Sequence, residues 1–202
     1  MAIKFHYNKT SLQQLNKQLE IRVNALPTLK NKESALRLEV KKAKDEAVRL
    51  EGLFEQKISE SEDTLRLWNE FNPDLVSIKD VKLSVKKIAG VKTPILDEVE
   101  FEVKPYSMFK SPAWFPDGID IIRELSRISL ESAVYERKME LLDFARKKTT
   151  QKVNLYEKVQ IPGYEEAILK IKRFLEDEEN LSKASQKIVK SRMEEKETEA
   201  VA

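Results

Sequence analysis

Charged side chains are clustered at two places where ion or phosphate chemistry could occur. The run Glu176–Glu179 offers consecutive carboxylates, the ligand type that hard cations prefer. Consecutive residues on a helix point around most of its circumference, so these carboxylates cannot converge on one ion. Arg146, Lys147, Lys148 and Lys152 form a basic patch that could attract phosphate. We interpret both groups as the solvated surface of a helix.

The residue types needed for nucleophilic or cofactor-dependent catalysis are nearly absent. His6 is the only histidine, and it has no nearby carboxylate that could orient it, so we interpret it as incidental. The chain has no cysteine, only four glycines and no glycine-rich phosphate-binding motif. We therefore predict no catalytic, cofactor-binding or metal-ligating residues, no cofactor, and a protein that is not an enzyme.

The composition favours long helices with solvated faces. Charged residues make up 36% of the 202 residues, well above the usual quarter, and glycine is scarce. The net charge of +2 argues against a basic nucleic-acid-binding stripe. No apolar run approaches the ~18 residues of a membrane span, and Met1–Thr10 lacks a signal peptide's apolar centre. We expect a soluble protein of the reducing cytosol.

A seven-residue apolar repeat between Thr10 and Phe71 predicts one long coiled-coil helix, which Asn72 and Pro73 would end. The predicted seam alternates between two heptad positions, both mainly apolar. Its members are Leu12, Leu15, Leu19, Arg22, Leu26, Leu29, Glu33, Leu36, Val40, Ala43, Ala47, Leu50, Phe54, Lys57, Ser61, Thr64, Trp68 and Phe71.

Two features interrupt this predicted helix. Pro27 removes a backbone donor, which predicts a local bend. Arg22, Glu33 and Lys57 place charge on the seam, where charge weakens packing but can define the register between helices. Alternatively, they lie where the helix extends beyond its partner.

The period changes to two residues between Val81 and Val103, which predicts a β-hairpin of roughly 25 residues with one apolar face. The dipeptides Ala89-Gly90 and Thr93-Pro94 punctuate it. Lysines alternate along the first strand and glutamates along the second, so antiparallel pairing would place opposite charges across from each other.

A proline-rich loop carrying Tyr106, Phe109, Trp114 and Phe115 follows the hairpin. Phe109, Trp114 and Phe115 either cover the hairpin's apolar face as a small core or anchor a partner protein.

A second long helix is predicted to begin around Gly118 and Ile119, with Asp117 as its cap. Its heptad phase slips by one residue at Pro162-Gly163, and its charged end, Met193–Ala202, is expected to fray. The seam comprises Ile121, Leu125, Ile128, Ser132, Tyr135, Met139, Leu142, Arg146, Thr149, Val153 and Tyr156, then Ile161, Tyr164, Ile168, Ile171 and Leu175.

These elements predict a mainly α protein: a long antiparallel two-helix coiled coil with a small β-hairpin inserted between the helices. The expected segments are 1–72 for the first helix, 73–117 for the hairpin and aromatic loop, and 118–202 for the second helix with its frayed tail. Both chain termini would then lie at one end.

Three sequence segments resemble the D subunit family of V-type and archaeal-type rotary ATPases, in a bacterial variant. The segment 152–162, KVNLYEKVQIP, is followed by Glu165-Glu166-Ala167-Ile168 and resembles the family's V-N-x-L-E-x-V-x-I-P and E-E-T-I signature. The segment 88–94, IAGVKTP, is similar to the family's I-M-G-V-x-x-P. The first helix from Lys9 to Leu36 is similar to the family's opening helix.

The resemblance implies the central-stalk rotor shaft of a rotary ATPase or ATP synthase. Its partners would be the catalytic A and non-catalytic B subunits, whose ring it enters with its termini first, and the F and C subunits of the central stalk. It would couple ATP hydrolysis or synthesis to proton or sodium transport, with no nucleic acid and no direct membrane insertion. The location implied is cytoplasmic, peripheral to the membrane, in the soluble V1/A1 sector.

A generic coiled-coil adaptor, a holdase chaperone or a rod of an export apparatus would share the helical pattern. None of these would require the two signature segments.

Overall fold

The computed structural model describes residues 3–61, 68, 70–107, 109 and 111–201. Helix α1 spans Lys9–Glu60, and a short 3-10 turn covers Pro73–Leu75. Strands β1 (Val76–Ile88) and β2 (Val91–Val103) follow. Helix α2 (Phe115–Leu155) continues through a π-helical turn, Tyr156–Gln160, into helix α3 (Ile161–Val201). The predicted fold class, mainly α with a hairpin inserted between long helices, is confirmed.

The chain divides into two compact units. Unit 1 comprises Met1–Lys30 and Thr150–Ala202. Its core is a cluster in which Leu15 of α1 packs with Ala167, Ile168 and Ile171 of α3. Towards the other end of this stretch of α1, Lys30 Nζ lies 2.7 Å from Glu157 Oε1. Later residues of α1 therefore meet earlier residues of the second helix, as antiparallel pairing requires.

Unit 2 comprises Asn31–Thr149. Its helices have the same antiparallel order, since Lys57 pairs with Glu124 whereas the earlier residue Glu46 is affected by the charge of the later residue Lys138. Leu36 of α1 and Leu142 of α2 are completely buried. The buried members of its predicted seams also include Ala43, Ala47, Leu50 and Ile128. The heptad pattern thus identified the buried faces of both helices, because a seven-residue repeat keeps one stripe of each helix on its partner.

Two of the charged seam positions contact the facing helix. Arg22 Nε donates a hydrogen bond to Gln160 Oε1 at 2.7 Å. Lys57 Nζ lies 3.2 Å from Glu124 Oε1, and this carboxylate raises the pKa of Lys57 above its usual value. The contacts support the interpretation that these charges define the register, since a shifted register would separate each from its partner.

The α-helical part of α1 ends at Glu60, so the predicted end at Phe71 was wrong. Phe71 lies in a bend, and Trp68 and Phe71 pack into an aromatic cluster with Trp114 and Phe115 instead of extending the seam. Burying these large rings in the cluster stabilises the fold more than continuing the heptad seam would. The predicted seam residue Thr64 lies outside the described residues.

The hairpin is confirmed and begins five residues earlier than predicted, at Val76. Its strands pair antiparallel from Val76 opposite Val103 to Ile88 opposite Val91. Ala89 and Gly90 form the turn with φ of 48° and 83°, the left-handed geometry that two-residue hairpin turns require. Thr93 and Pro94 lie within β2 and do not interrupt it. A two-stranded ribbon tolerates proline because half of its N–H groups face no partner strand.

Helix α2 begins at Phe115, three residues before the predicted start, and Asp117 lies in its first turn, not at its cap. The Phe115 N–H donates to the Pro112 carbonyl at 3.2 Å. Pro116 is then the second helical residue, where a missing N–H costs nothing because first-turn donors have no partner within the helix. Asp117 still interacts favourably with the positive end of the helix dipole.

The π-helical turn explains the predicted slip in heptad phase. The Ile161 N–H donates to the carbonyl of Tyr156, five residues earlier, so the turn holds one residue more than an α-helical turn. The extra residue lets both the Val153 side and the Ile168 side of the seam face inward. It also widens the helix just before Pro162, which has no N–H to donate.

Two further expectations concern α1 and the end of α3. Helix α1 continues through Pro27 without a break, and the bend there stays a prediction. Helix α3 extends to Val201, Ala202 lies outside the described residues, and the fraying of the segment Met193–Ala202 stays a prediction.

Candidate interaction surfaces

The side chains with a potential for chemistry lie on the surface. His6 is exposed, and its backbone N–H donates to Ser11 Oγ at 3.3 Å. The carboxylates of Glu176–Glu179 are all exposed, and Glu179 forms an ion pair of 2.8 Å with Lys183. Within the described ranges, no three His, Asp or Glu side chains are grouped as metal ligands would be.

The basic patch is engaged locally. Arg146 and Lys147 lie 2.7 and 2.8 Å from the carboxylate of Asp143. Hydrogen bonds from Lys147 and then Arg146 hold the pKa of Asp143 below its usual range. Lys148 lies over the Phe144 ring, 4.3 Å from its centroid. These cations are therefore held along their own helix.

The aromatic residues of the loop divide into two groups. Trp114 and Phe115 pack with Phe71, with ring centroids 5.7 and 5.3 Å from it, and Tyr106 and Trp68 also join the cluster. Phe109, in contrast, is fully exposed. Trp114 and Phe115 therefore form a small core, whereas Phe109 lies outside this core and its role as a partner anchor stays a prediction.

The signature segment of the second helix contains the π-helical turn and the site where Arg22 docks. The guanidinium of Arg22 lies 4.6 Å from the centroid of the Tyr164 ring and 5.8 Å from that of Tyr156. Together with its hydrogen bond to Gln160, these contacts bind Arg22 to both sides of the turn. Such an arrangement combines cation–π attraction with a directional hydrogen bond.

This docking site was not predicted from the sequence, although a signal was present. An arginine at a seam position needs polar or aromatic partners on the facing helix. The tyrosines at the seam positions 156 and 164, on either side of the phase slip, were the residues able to supply them.

The end of α3 is an exposed helical surface. Every side chain from Glu176 to Glu194 is exposed, whereas Ile171 just before this stretch is completely buried. Exposed apolar side chains recur at helical spacing along this stretch. Leu181, for example, is 70% exposed. The others are Ile188, Val189 and Met193. We call this stretch, Glu176–Glu194, the tail surface.

No helix within the described residues combines the length and the apolar composition that crossing a membrane requires.

Residues 11–191 match a protein-family profile that describes the D subunit of ATP synthase. The chain is 30% identical to the V-type ATP synthase D subunit of Borreliella burgdorferi, over 93% of this chain and 94% of the relative. It is 28% identical to the V-type ATP synthase D subunit of Chlamydia muridarum, over 96% of this chain and 98% of the relative. The protein of the same name from Chlamydia pneumoniae is 27% identical, over 96% of this chain and 95% of the relative.

Proposed function

This chain belongs to the ATP synthase D subunit family, and we propose that it is the non-catalytic central-stalk shaft of a V-type rotary ATPase or ATP synthase. The shaft transmits rotation between the ring of A and B subunits and the membrane rotor. It thereby couples ATP hydrolysis or synthesis to proton or sodium transport. In this role it is cytoplasmic, in the soluble V1/A1 sector, and contacts the A, B, F and C subunits.

The tail surface is the observation that carries this proposal. A solvated helical stretch such as Glu176–Glu194 gains little stability from packing, and an exposed apolar stripe on it indicates a surface that becomes covered. The inner wall of a subunit ring would cover it on several sides. The charged residues between the apolar ones leave the contact polar enough to slide during rotation.

The paired helices of each unit suit transmission of torque. Register shifts are opposed where charged groups bridge the helices, as Arg22 does with Gln160 and Lys57 with Glu124. Flexible glycine is scarce, with four residues in the whole chain. A shaft that kept its register would pass rotation along its length without dissipating it in slippage between helices.

Reversible cross-linking tests the proposal, and the absence of cysteine from the chain makes it specific. One cysteine is introduced at Ser185 or Ser191, both exposed on the tail surface, and a second on the inner wall of a ring subunit. Oxidation is expected to join shaft to ring and stop steady ATP hydrolysis, and thiol reduction is expected to restore it.

The matched control carries the shaft cysteine alone and is expected to hydrolyse ATP equally before and after oxidation. Undiminished hydrolysis in a fully cross-linked complex would refute rotation of the shaft. Absence of a cross-link at every pair of positions would refute insertion of the tail surface into the ring.

A further inference from the structure

One face of the hairpin is apolar and paired across the strands, and its residues on β1 are exposed. Leu83 lies opposite Leu96, and Val85 lies opposite Pro94. Leu83 is 52% exposed and Val85 is 67% exposed. The second-strand residues of this face, Pro94 and Leu96, are half-buried, as are Val81 and Val99, so the exposed apolar surface lies on β1.

The hairpin tip is nevertheless held in place through its other face. Thr93 is completely buried, and its hydroxyl donates to the carbonyl of Lys86 at 3.0 Å. Two-stranded ribbons twist strongly, so one face can pack at the base of a ribbon and turn towards solvent at its tip. The exposed leucine and valine are therefore displayed by an anchored strand pair, not by a loose loop.

Positive charge surrounds the exposed face at the tip. Lys87 lies directly opposite Lys92, a like-charged cross-strand pair that is unfavourable by itself. Lys32 Nζ of α1 lies 3.7 Å from the position that a Cβ on Gly90 would occupy. In the part of the chain that the structure describes, none of these three lysines has a carboxylate within ion-pair distance.

The middle of the same hairpin shows the opposite arrangement. Lys82 Nζ lies 3.0 Å from Glu98 and also contacts Glu100. These carboxylates, Glu100 more than Glu98, raise the pKa of Lys82 above its usual value. The positive charge of the hairpin is thus neutralised at its middle and left unneutralised at its tip.

We propose that the hairpin tip is a docking surface for an acidic protein partner. The partner places apolar side chains on Leu83 and Val85 and carboxylates beside Lys87, Lys92 and Lys32. Burial of the apolar pair supplies affinity, and the lysine cluster selects an acidic surface and orients it. The inference rests on the proposed function in one respect, since it places the partner among the other subunits of the same complex.

Carbodiimide cross-linking of the purified complex tests the ionic part, because this reagent joins a lysine amine to a carboxylate only at direct contact. We expect a peptide containing Lys87 or Lys92 joined to an Asp or Glu of another subunit. The Lys82–Glu98 pair serves as the internal positive control. The double variant K87R/K92R keeps the charge but offers no amine, so it is expected to lose this cross-link while the complex stays assembled.

Protection of a cysteine tests the apolar part. Val85→Cys is expected to react with a maleimide at least ~10-fold more slowly in the complex than in the isolated chain, since a docked surface excludes the reagent. Adding K87E/K92E is expected to abolish the protection, because reversed charges repel an acidic partner. K41E/K44E makes the same charge change at exposed positions of α1, outside the hairpin sequence, and is expected to preserve it.

The proposal is overturned if Val85→Cys reacts equally fast in both states, or if no cross-link from the tip appears while the internal control does. It is also overturned if the isolated chain sediments with phosphatidylglycerol vesicles and K87E/K92E does not, because the occupant is then a membrane. Failure of the proposed function would be seen earlier, as the absence of a complex containing this chain and the ring subunits.

Discussion

Deletion of a single residue in the π-helical turn is the sharpest test of how the second helix keeps its seam on the first. Deleting Val159, which is 40% exposed, should convert the turn to regular α-helix and bring Val153 and Ile168 into one continuous heptad phase. Pro162 would then lie within a regular helix, at a cost of about 3 kcal/mol. Combining the deletion with Pro162→Ala removes that cost. We expect the double change to alter the free energy of unfolding by about 1 kcal/mol or less.

Deletion of Glu140, an exposed residue of regular α-helix, is the matched control. It rotates the helix by about 100° from that point, and no wider turn compensates before Tyr156. Leu142, completely buried, and Val153, 8% exposed, would leave the seam. Loss of burial for two such side chains amounts to about 3–6 kcal/mol.

Urea unfolding followed by far-ultraviolet circular dichroism measures both free energies. We expect a large loss for the deletion of Glu140 and a small one for the deletion of Val159 with Pro162→Ala. Equal losses in the two variants would refute the idea that the turn accommodates one extra residue.

Four further substitutions test local packing and charge. Gly118→Ala should destabilise the aromatic cluster by about 1–3 kcal/mol, because its Cβ would lie 2.8 Å from the Trp114 ring. Gly52→Ala has open space around it and should stabilise α1 by about 1 kcal/mol. Thermal melts of both variants would show whether each change raises or lowers the melting temperature. Arg22→Met should cost about 1–3 kcal/mol by removing the hydrogen bond and ring contacts at the π-helical turn, and an unchanged urea midpoint would contradict it. Because the pKa of Asp143 is lowered, its ionised form stabilises the fold at any pH above its ordinary pKa of 3.8, and this contribution is lost as the pH falls through the lowered pKa. Asp143→Asn should therefore reduce the melting temperature at neutral pH but not at the lowest pH, as thermal melts across this pH range would show.

The seams and the hairpin could be predicted because periodicity reports directly which face of an element is buried. Leu36, Leu142 and Ile171 were all assigned to a seam, and all three are completely buried. The phase slip near Pro162 was visible for the same reason, since one extra residue displaces every later seam position. Its structural form, a π-helical turn before the proline, depends on hydrogen-bond geometry that spacing does not specify.

The boundaries of the helices could not be predicted from periodicity. Trp68 and Phe71 satisfy the heptad pattern but pack with Trp114 and Phe115, which are distant in sequence. The start of α2 at Phe115 also depends on this aromatic cluster. Packing of Phe115 in the cluster fixes the backbone two residues ahead of Asp117, so the helix has already begun at Asp117. Among the candidate interaction surfaces, the exposed hairpin face was missed because alternation predicts an apolar face but not what covers it.

The wide sequence separation between the two halves of unit 1 has a consequence during synthesis. Leu15 packs with Ile168 and Ile171, which the ribosome adds far later. At about 5–20 residues per second, α1 emerges on the order of ten seconds or more before that partner exists. During this interval its leucine stripe is open to other nascent chains. The charges that Arg22, Glu33 and Lys57 place on that stripe then weaken pairing between two copies of α1, until the native partner supplies Gln160 for Arg22 and Glu124 for Lys57.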